Sequence, residues 1–156
     1  MKEIERKFTV KNTSFLNDYV AKHKIIQGYL SENINSAVRI RIKNNKAFIT
    51  IKGKSNQTGT TRFEWEKEIT VSEAQELLNL CDKKIEKTRY DIKINNHIIE
   101  VDVFEKENEG LIIAEIELIN EDEHITLPNW IDEEVTGNEK YYNLYLLNNP
   151  YKYWKK

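Results

Sequence analysis

Nearly every extended stretch of this chain carries a charged residue at every second position. Glu3, Glu5 and Lys7 alternate with Ile4, Phe8 and Val10 on the opposite side, and Arg39, Arg41 and Lys43 alternate with Val38, Ile40 and Ile42. Thr50 and Lys52 alternate with Ile49 and Ile51, and Arg62, Glu64, Glu66 and Glu68 with Phe63, Trp65 and Ile69. Lys87 and Arg89 stand against Thr88 and Tyr90, and Glu100 and Asp102 against Ile99, Val101 and Val103. Glu115 and Glu117 stand against Ala114, Ile116 and Leu118. Successive side chains of a strand point to opposite faces, so each stretch reads as a strand with one apolar and one charged face.

Eight such strands are expected. They begin with residues 2–10 and continue with "KIIQGYLS", "AVRIRIK", "KAFITIK", "TRFEWEKEITV", "KKIEKTRYDIKI", "HIIEVDVFEK" and "LIIAEIELIN". Asn44-Asn45 and Asn95-Asn96 are suited to tight hairpin turns, because Asn tolerates positive φ. Helices are expected at "TSFLNDYVAKH", with Thr13 or Ser14 as cap, and at "SEAQELLNL", with Ser72 and Gln75 as a capping box. The C-terminal "NWIDEEV" and "NEKYYNLYLLNN" also read as helical, and Pro150 ends them. The final "PYKYWKK" reads as a frayed tail or as the cover of a barrel mouth.

Two architectures satisfy the alternation. An open antiparallel sheet would pack its apolar face on the helices and show its charged face to water. Eight strands also suffice to close a barrel with the charges inside, around one small ligand. Like charges cluster within strands, as in Glu3/Glu5, Arg39/Arg41, Glu64/Glu66/Glu68 and Glu115/Glu117, and neighbouring carboxylates repel unless a cation lies between them. Multiple carboxylates suit a hard cation such as Mg²⁺ or Mn²⁺, while clustered Arg and Lys suit phosphate oxygens. A closed barrel carrying both is chemically suited to a metal–polyphosphate complex.

Composition narrows the function classes. Lys plus Arg total 24 against 26 Asp plus Glu, a net charge of -2. That balance argues against a general nucleic-acid or acidic-membrane binder. Cys81 is the only cysteine and the three histidines are scattered, which argues against a Cys/His metal cluster and leaves the histidines as surface or structural residues. No apolar run is long enough to span a bilayer and no signal peptide is evident, so the expectation is a cytoplasmic protein with one domain over 1–156.

"EIERK" resembles the Glu-x-Glu-x-Lys signature of the CYTH superfamily, also called triphosphate tunnel metalloenzymes. It is followed in order by "RIRIK", "TIKG", "RFEWEKEI", "EKTRY", "EVDVFE" and "AEIEL", each similar to a family block, over about residues 2–120. The resemblance implies an α+β fold, mainly antiparallel β: an eight-stranded closed barrel, or tunnel, with a charged interior and a few flanking helices. It implies that Glu3, Glu5, Asp102, Glu115 and Glu117 bind Mg²⁺ or Mn²⁺, with Glu64 and Glu66 as further acids of the wall. Lys7, Arg39, Arg41, Lys52, Lys87 and Arg89 then resemble the phosphate-binding bases. Arg62 is open between pairing with Glu64 and touching phosphate. Tyr29 resembles a tyrosine of the small bacterial members, near the attacking water and Lys7; from the residues alone it reads as packing on the face of Gln27. Glu68, Lys43 and Glu100 read as solvated groups at the mouths, and Trp65 and Tyr90 as outward core residues.

The implied activity is metal-assisted phosphoryl transfer to water, with Lys7, Tyr29 and Glu5 nearest the chemistry. Inorganic tripolyphosphate ranks first as substrate and nucleoside triphosphates second. A class IV-type adenylyl cyclase ranks third, and a non-catalytic polyphosphate- or nucleotide-binding module is the reading of another class. The expected partner is a small-molecule triphosphate, without nucleic acid or membrane, and a monomer and a homodimer are both open.

Overall fold

The computed structural model describes residues 2–155. Its strands are β1 (Lys2–Val10), β2 (Tyr19–Ser31), β3 (Ser36–Lys43), β4 (Lys46–Gly53), β5 (Thr61–Ile69), β6 (Lys84–Ile94), β7 (His97–Phe104), β8 (Ile112–Glu117) and β9 (Ile131–Glu134). They pair antiparallel in the order β5-β4-β3-β2-β6-β7-β8-β1-β9, and β1 returns to β5. That last pairing closes eight strands into a barrel. It joins Lys2, Glu3 and Ile4 to Phe63, Arg62 and Thr61. Farther along the same strand β9 pairs with β1, Val10 opposite Ile131. Asn44 and Asn95 take φ of 54° and 52° in the hairpin turns, as their sequence pairs predict.

The strand set differs from the expected one in its first third. "TSFLNDYVAKH" is not a helix. Ser14–Asn17 forms one 3-10 turn, and from Tyr19 the chain is already β2, a 13-residue strand paired with β6. The apolar spacing of Phe15, Leu16, Tyr19 and Val20 fits a helix locally, but Tyr19 and Phe15 both pack on Tyr90. Phe15, fully buried, also meets Trp130 at 5.5 Å between ring centroids. Long-range pairing and aromatic packing override a weak local preference.

"NWIDEEV" is likewise β9 rather than a helix. Its one inward anchor is the buried Ile131, and Arg6 holds Glu134 with two hydrogen bonds of 2.9 Å. The C-terminal helical region is a 3-10 turn at Glu139–Tyr141 followed by α2 (Asn143–Asn148). α1 (Val71–Leu78) is capped two residues earlier than expected, so the box is not Ser72 and Gln75. Thr70 and Glu73 form its capping box, because Thr70 Oγ1 accepts from the Glu73 N–H and the Glu73 carboxylate accepts from the Thr70 N–H. Of the "PYKYWKK" tail, whose last residue lies outside the described residues, Tyr151 and Trp154 pack with their rings 5.0 Å apart, and Tyr141 is 5.4 Å from Trp154.

Apolar packing lies mostly outside the barrel. One cluster joins Phe8, Phe15, Ile92, Ile99, Ala114, Ile116 and Trp130, and α1 covers Ile40 and Ala47 with Ala74 and Leu78. A third cluster sits inside. Ile85 is opposite Gln27, Phe104 opposite Lys87 and Ile113 opposite Asp102, so all three face the interior. Leu146 and Leu147 of α2 pack on them. The barrel is therefore stoppered at one end by apolar side chains. Among the described residues no helix is long and apolar enough to cross a membrane.

Candidate active site

The strand registers bring the alternating charges onto the barrel's inner wall, where they line two adjoining cavities. The inner one, about 60 Å³, lies beside the apolar stopper and is lined by Lys7, Tyr29, Arg39, Lys52, Arg62, Lys87 and Arg89, with Glu5 and Glu115 as its acids. The outer one, about 410 Å³, is lined by Glu3, Glu64, Glu66, Glu100 and Glu117 together with Lys2 and Arg41. Glu5, Arg39, Lys52, Arg89 and Glu115 border both. The interior is thus graded, basic toward the closed end and acidic toward the open one.

The walls are held by ion pairs between neighbouring strands. Lys7 meets Glu115 at 3.1 Å, and Lys52 and Arg62 both meet Glu3 at 3.0 Å. Arg62 also reaches Glu5 at 3.6 Å, so it pairs with the acids of β1 rather than with Glu64. Arg39 and Arg41 share Glu66 at 3.6 and 3.5 Å, and Thr50 donates to that carboxylate at 2.7 Å. Lys87 and Arg89 converge on Asp102. Burying so many charges is tolerable only because they are paired.

The pairing leaves some groups poorly served. Burial first, then Glu115 and Glu3, push the Glu5 carboxyl up to about 7. Burial likewise raises Glu117, with Glu3 and Glu100 adding to it, and raises Glu64. Glu3 is the contrast: burial works to raise it, but Lys52 and Arg62 hold it at about 2. Among the bases, burial lowers Lys87 to about 8, and burial with Arg39 and Arg89 lowers Arg41 to about 10. The Nε–H groups of Arg39 and Arg41 are buried without a protein partner. Such donors are expensive to leave unmet and suit an anionic ligand.

Of the residues to which the sequence assigned a metal-binding, phosphate-binding or catalytic role, all but Asp102 line one of the two cavities. Asp102 is wholly buried behind Lys87 and Arg89 and reaches neither. Glu100, expected to be a solvated mouth residue, lines the outer cavity and binds Arg89 at 2.5 Å. Among the described residues no three acids gather about one point, and Glu3, Glu66, Asp102 and Glu115 are each drawn toward a base.

The profile of the CYTH domain matches residues 1–145. The chain belongs to the CYTH family. It is 46% identical to an inorganic triphosphatase of Acetivibrio thermocellus over 158 residues, covering 99% of both chains. It is 33% identical to an inorganic triphosphatase of Nitrosomonas europaea, covering 92% of this chain and 95% of the relative. A solved inorganic triphosphatase superposes with a TM-score of 0.67 at 31% identity, covering 93% of this chain and 97% of the other. This CYTH chain thus shares its barrel with triphosphatases across almost its whole length.

Sequence reading missed the groups that reach the inner cavity from outside the strands: Ile34 and the run Tyr142, Asn143 and Leu144. The only hint was "KYYNLYLL", where two tyrosines and an asparagine precede an apolar run. Gln27 was named only as a neighbour of Tyr29. It is completely buried and donates to Asn143 Oδ1 at 3.1 Å.

Proposed function

We propose that this protein is a divalent-metal-dependent hydrolase that removes the terminal phosphate of inorganic tripolyphosphate, with nucleoside triphosphates as secondary substrates. The observation that carries this reading is the graded interior. A linear polyanion fits the basic inner cavity, and hard cations fit the acidic outer one. The triphosphatases to which the chain is similar support the same reaction class.

The donor set fits a hard divalent ion such as Mg²⁺ or Mn²⁺. Glu3, Glu5, Glu64, Glu66, Glu115 and Glu117 would hold it, and Glu5 in particular is destabilised as an anion by burial and by its acidic neighbours. Asp102 acts from behind the wall, holding Lys87 and Arg89. A triphosphate that takes over Arg62, Lys52 and Lys7 frees Glu3 and Glu115 from their present partners, so the two ligands favour each other. When bound, the metal neutralises phosphate charge and acidifies water.

The chain's own residues supply the rest. Arg39, Arg41, Lys52, Arg62, Lys87 and Arg89 bind the phosphate oxygens and stabilise charge on the departing pyrophosphate. Lys7 and Tyr29, both facing the inner cavity, flank the terminal phosphate. Water attacks that phosphorus, the bridging P–O bond breaks toward the departing pyrophosphate, and the water's proton passes to solvent. Only charged side chains line the outer cavity, which offers no aromatic surface for a nucleobase. That favours the inorganic substrate over ATP.

The test is orthophosphate release from tripolyphosphate, ATP and pyrophosphate in Mg²⁺, Mn²⁺ and EDTA. Metal-dependent release, faster from tripolyphosphate than from ATP, is expected. Cyclic AMP with pyrophosphate from ATP would make the protein a cyclase. Tight binding without turnover would make it a sensor.

A further inference from the structure

Residues 142–144 touch the tunnel at four strands while belonging to none of them. The Tyr142 ring lies 5.2 Å from Lys7 Nζ, on β1, and 5.9 Å from the Arg62 guanidinium, on β5. Asn143 Oδ1 accepts from Lys87 Nζ on β6 at 3.0 Å and from Gln27 on β2 at 3.1 Å. Leu144 packs on the apolar stopper that α2 anchors through Leu146 and Leu147. This strap lies against the basic end of the interior, and the three cations it touches all line the inner cavity.

The contacts orient charge rather than neutralise it. A tyrosine ring attracts a cation over its face without offering a competing anion. The Asn143 amide oxygen is neutral as well. Lys87 has three donors: one goes to Asp102 at 2.6 Å, a second to Asn143, and the third remains for a ligand oxygen. Gln27 gives its N–H₂ to Asn143 although its own Oε1 is left buried without a protein partner. Reversing the Gln27 amide would set oxygen against oxygen at Asn143, so the polarity of this contact is fixed.

We propose that Tyr142 and Asn143 are positioning residues that aim Lys7, Arg62 and Lys87 at the phosphates of a bound triphosphate. The inference rests on the triphosphate reading above and adds two residues outside the strand-borne set. Without Asn143, Lys87 is left to Asp102 and to the Phe104 ring, 5.3 Å away, and turns away from the cavity. Without the Tyr142 ring, Lys7 and Arg62 are left to the carboxylates of Glu115, Glu3 and Glu5.

Three variants test this: Tyr142→Phe, Tyr142→Leu and Asn143→Leu. Each is measured for tripolyphosphate affinity by calorimetry in EDTA, for kcat and KM with Mg²⁺, and for thermal melting. Tyr142→Phe keeps the ring face and is expected to match the wild type within about twofold. Tyr142→Leu and Asn143→Leu are expected to weaken binding and raise KM by roughly tenfold, with kcat changed by less than about threefold. Unchanged affinity in both leucine variants, or a phenylalanine variant as weak as the leucine one, overturns the proposal. Should Asn143→Leu fail to fold, the Tyr142 pair decides. Wild-type binding without turnover refutes the hydrolase reading alone, and the affinity ratios still judge the strap. A wild type that does not bind tripolyphosphate overturns both.

Discussion

Replacing Asp102 with asparagine tests how the barrel tolerates its buried charge. Asp102 is 0% exposed, and Lys87 and Arg89 beside it are 2% and 6% exposed. Its carboxylate accepts from Lys87 Nζ at 2.6 Å, from Arg89 Nε at 2.7 Å and from Arg89 Nη2 at 2.8 Å. Asparagine keeps the shape but removes the negative charge and turns one acceptor into a donor. Breaking a buried ion pair by removing one partner costs about 3–5 kcal/mol. Arg89 retains Glu100 at 2.5 Å and Glu115 at 3.7 Å, which places Asp102→Asn at the low end, about 3 kcal/mol. For a chain of this size that corresponds to a fall in Tm of about 6–12 °C. The assay is thermal and urea unfolding at pH 7, free of metal and phosphate. Added tripolyphosphate is expected to restore more of the variant's loss than it adds to the wild type, since the polyanion replaces the missing charge. A Tm within about 2 °C of wild type would refute the reasoning.

Other consequences follow from the same charges. Asp102, Glu115 and Glu3 are all pushed up by burial but held below their usual values by Arg and Lys neighbours. They stay ionised in the folded protein where the unfolded chain is already protonated. Their contribution is therefore complete above pH 4.5 and is lost as pH falls from there toward 2, which acid-unfolding curves will show. Glu5 has the opposite sign. Its folded value of about 7 lies above the ordinary 4.5, so stability declines as pH rises between them. Glu5→Gln is accordingly expected to raise ligand-free stability at pH 8, by up to about 3 kcal/mol, read from urea midpoints. Thr70→Ala removes the α1 capping box and should cost about 1 kcal/mol in the same assay without altering activity.

The charged wall was legible because strand alternation is a strong periodic signal and because each of β3, β4, β7 and β8 alternates cleanly. The start of β2 was not. Phe15, Leu16, Tyr19 and Val20 satisfy a helical period, and only their packing on Tyr90 and Trp130, far off in sequence, decides for a turn and a strand. β9 has four residues and one buried side chain, too short for periodicity to register. The apolar stopper was hidden for a related reason. Ile85, Phe104 and Ile113 face inward, where the charges of the same strands suggested a charged interior. Tyr142 and Asn143 lie in an aperiodic segment, and the Asn143–Lys87 contact spans 56 residues. Alternation with Val101 and Val103 put Asp102 on the charged face, and the family resemblance counted it among the metal-binding acids. Its three hydrogen bonds to Lys87 and Arg89 draw it behind them instead.

The most direct test of the central claim compares Glu5→Ala and Glu117→Ala with the wild type for Mg²⁺-dependent turnover of tripolyphosphate, alongside their melting curves. These carboxylates lie opposite one another on β1 and β8 and both face the outer cavity. The account predicts that both variants fold, with Glu5→Ala at least as stable as wild type, and that both lose essentially all turnover. Metal-dependent turnover retained in both would contradict it.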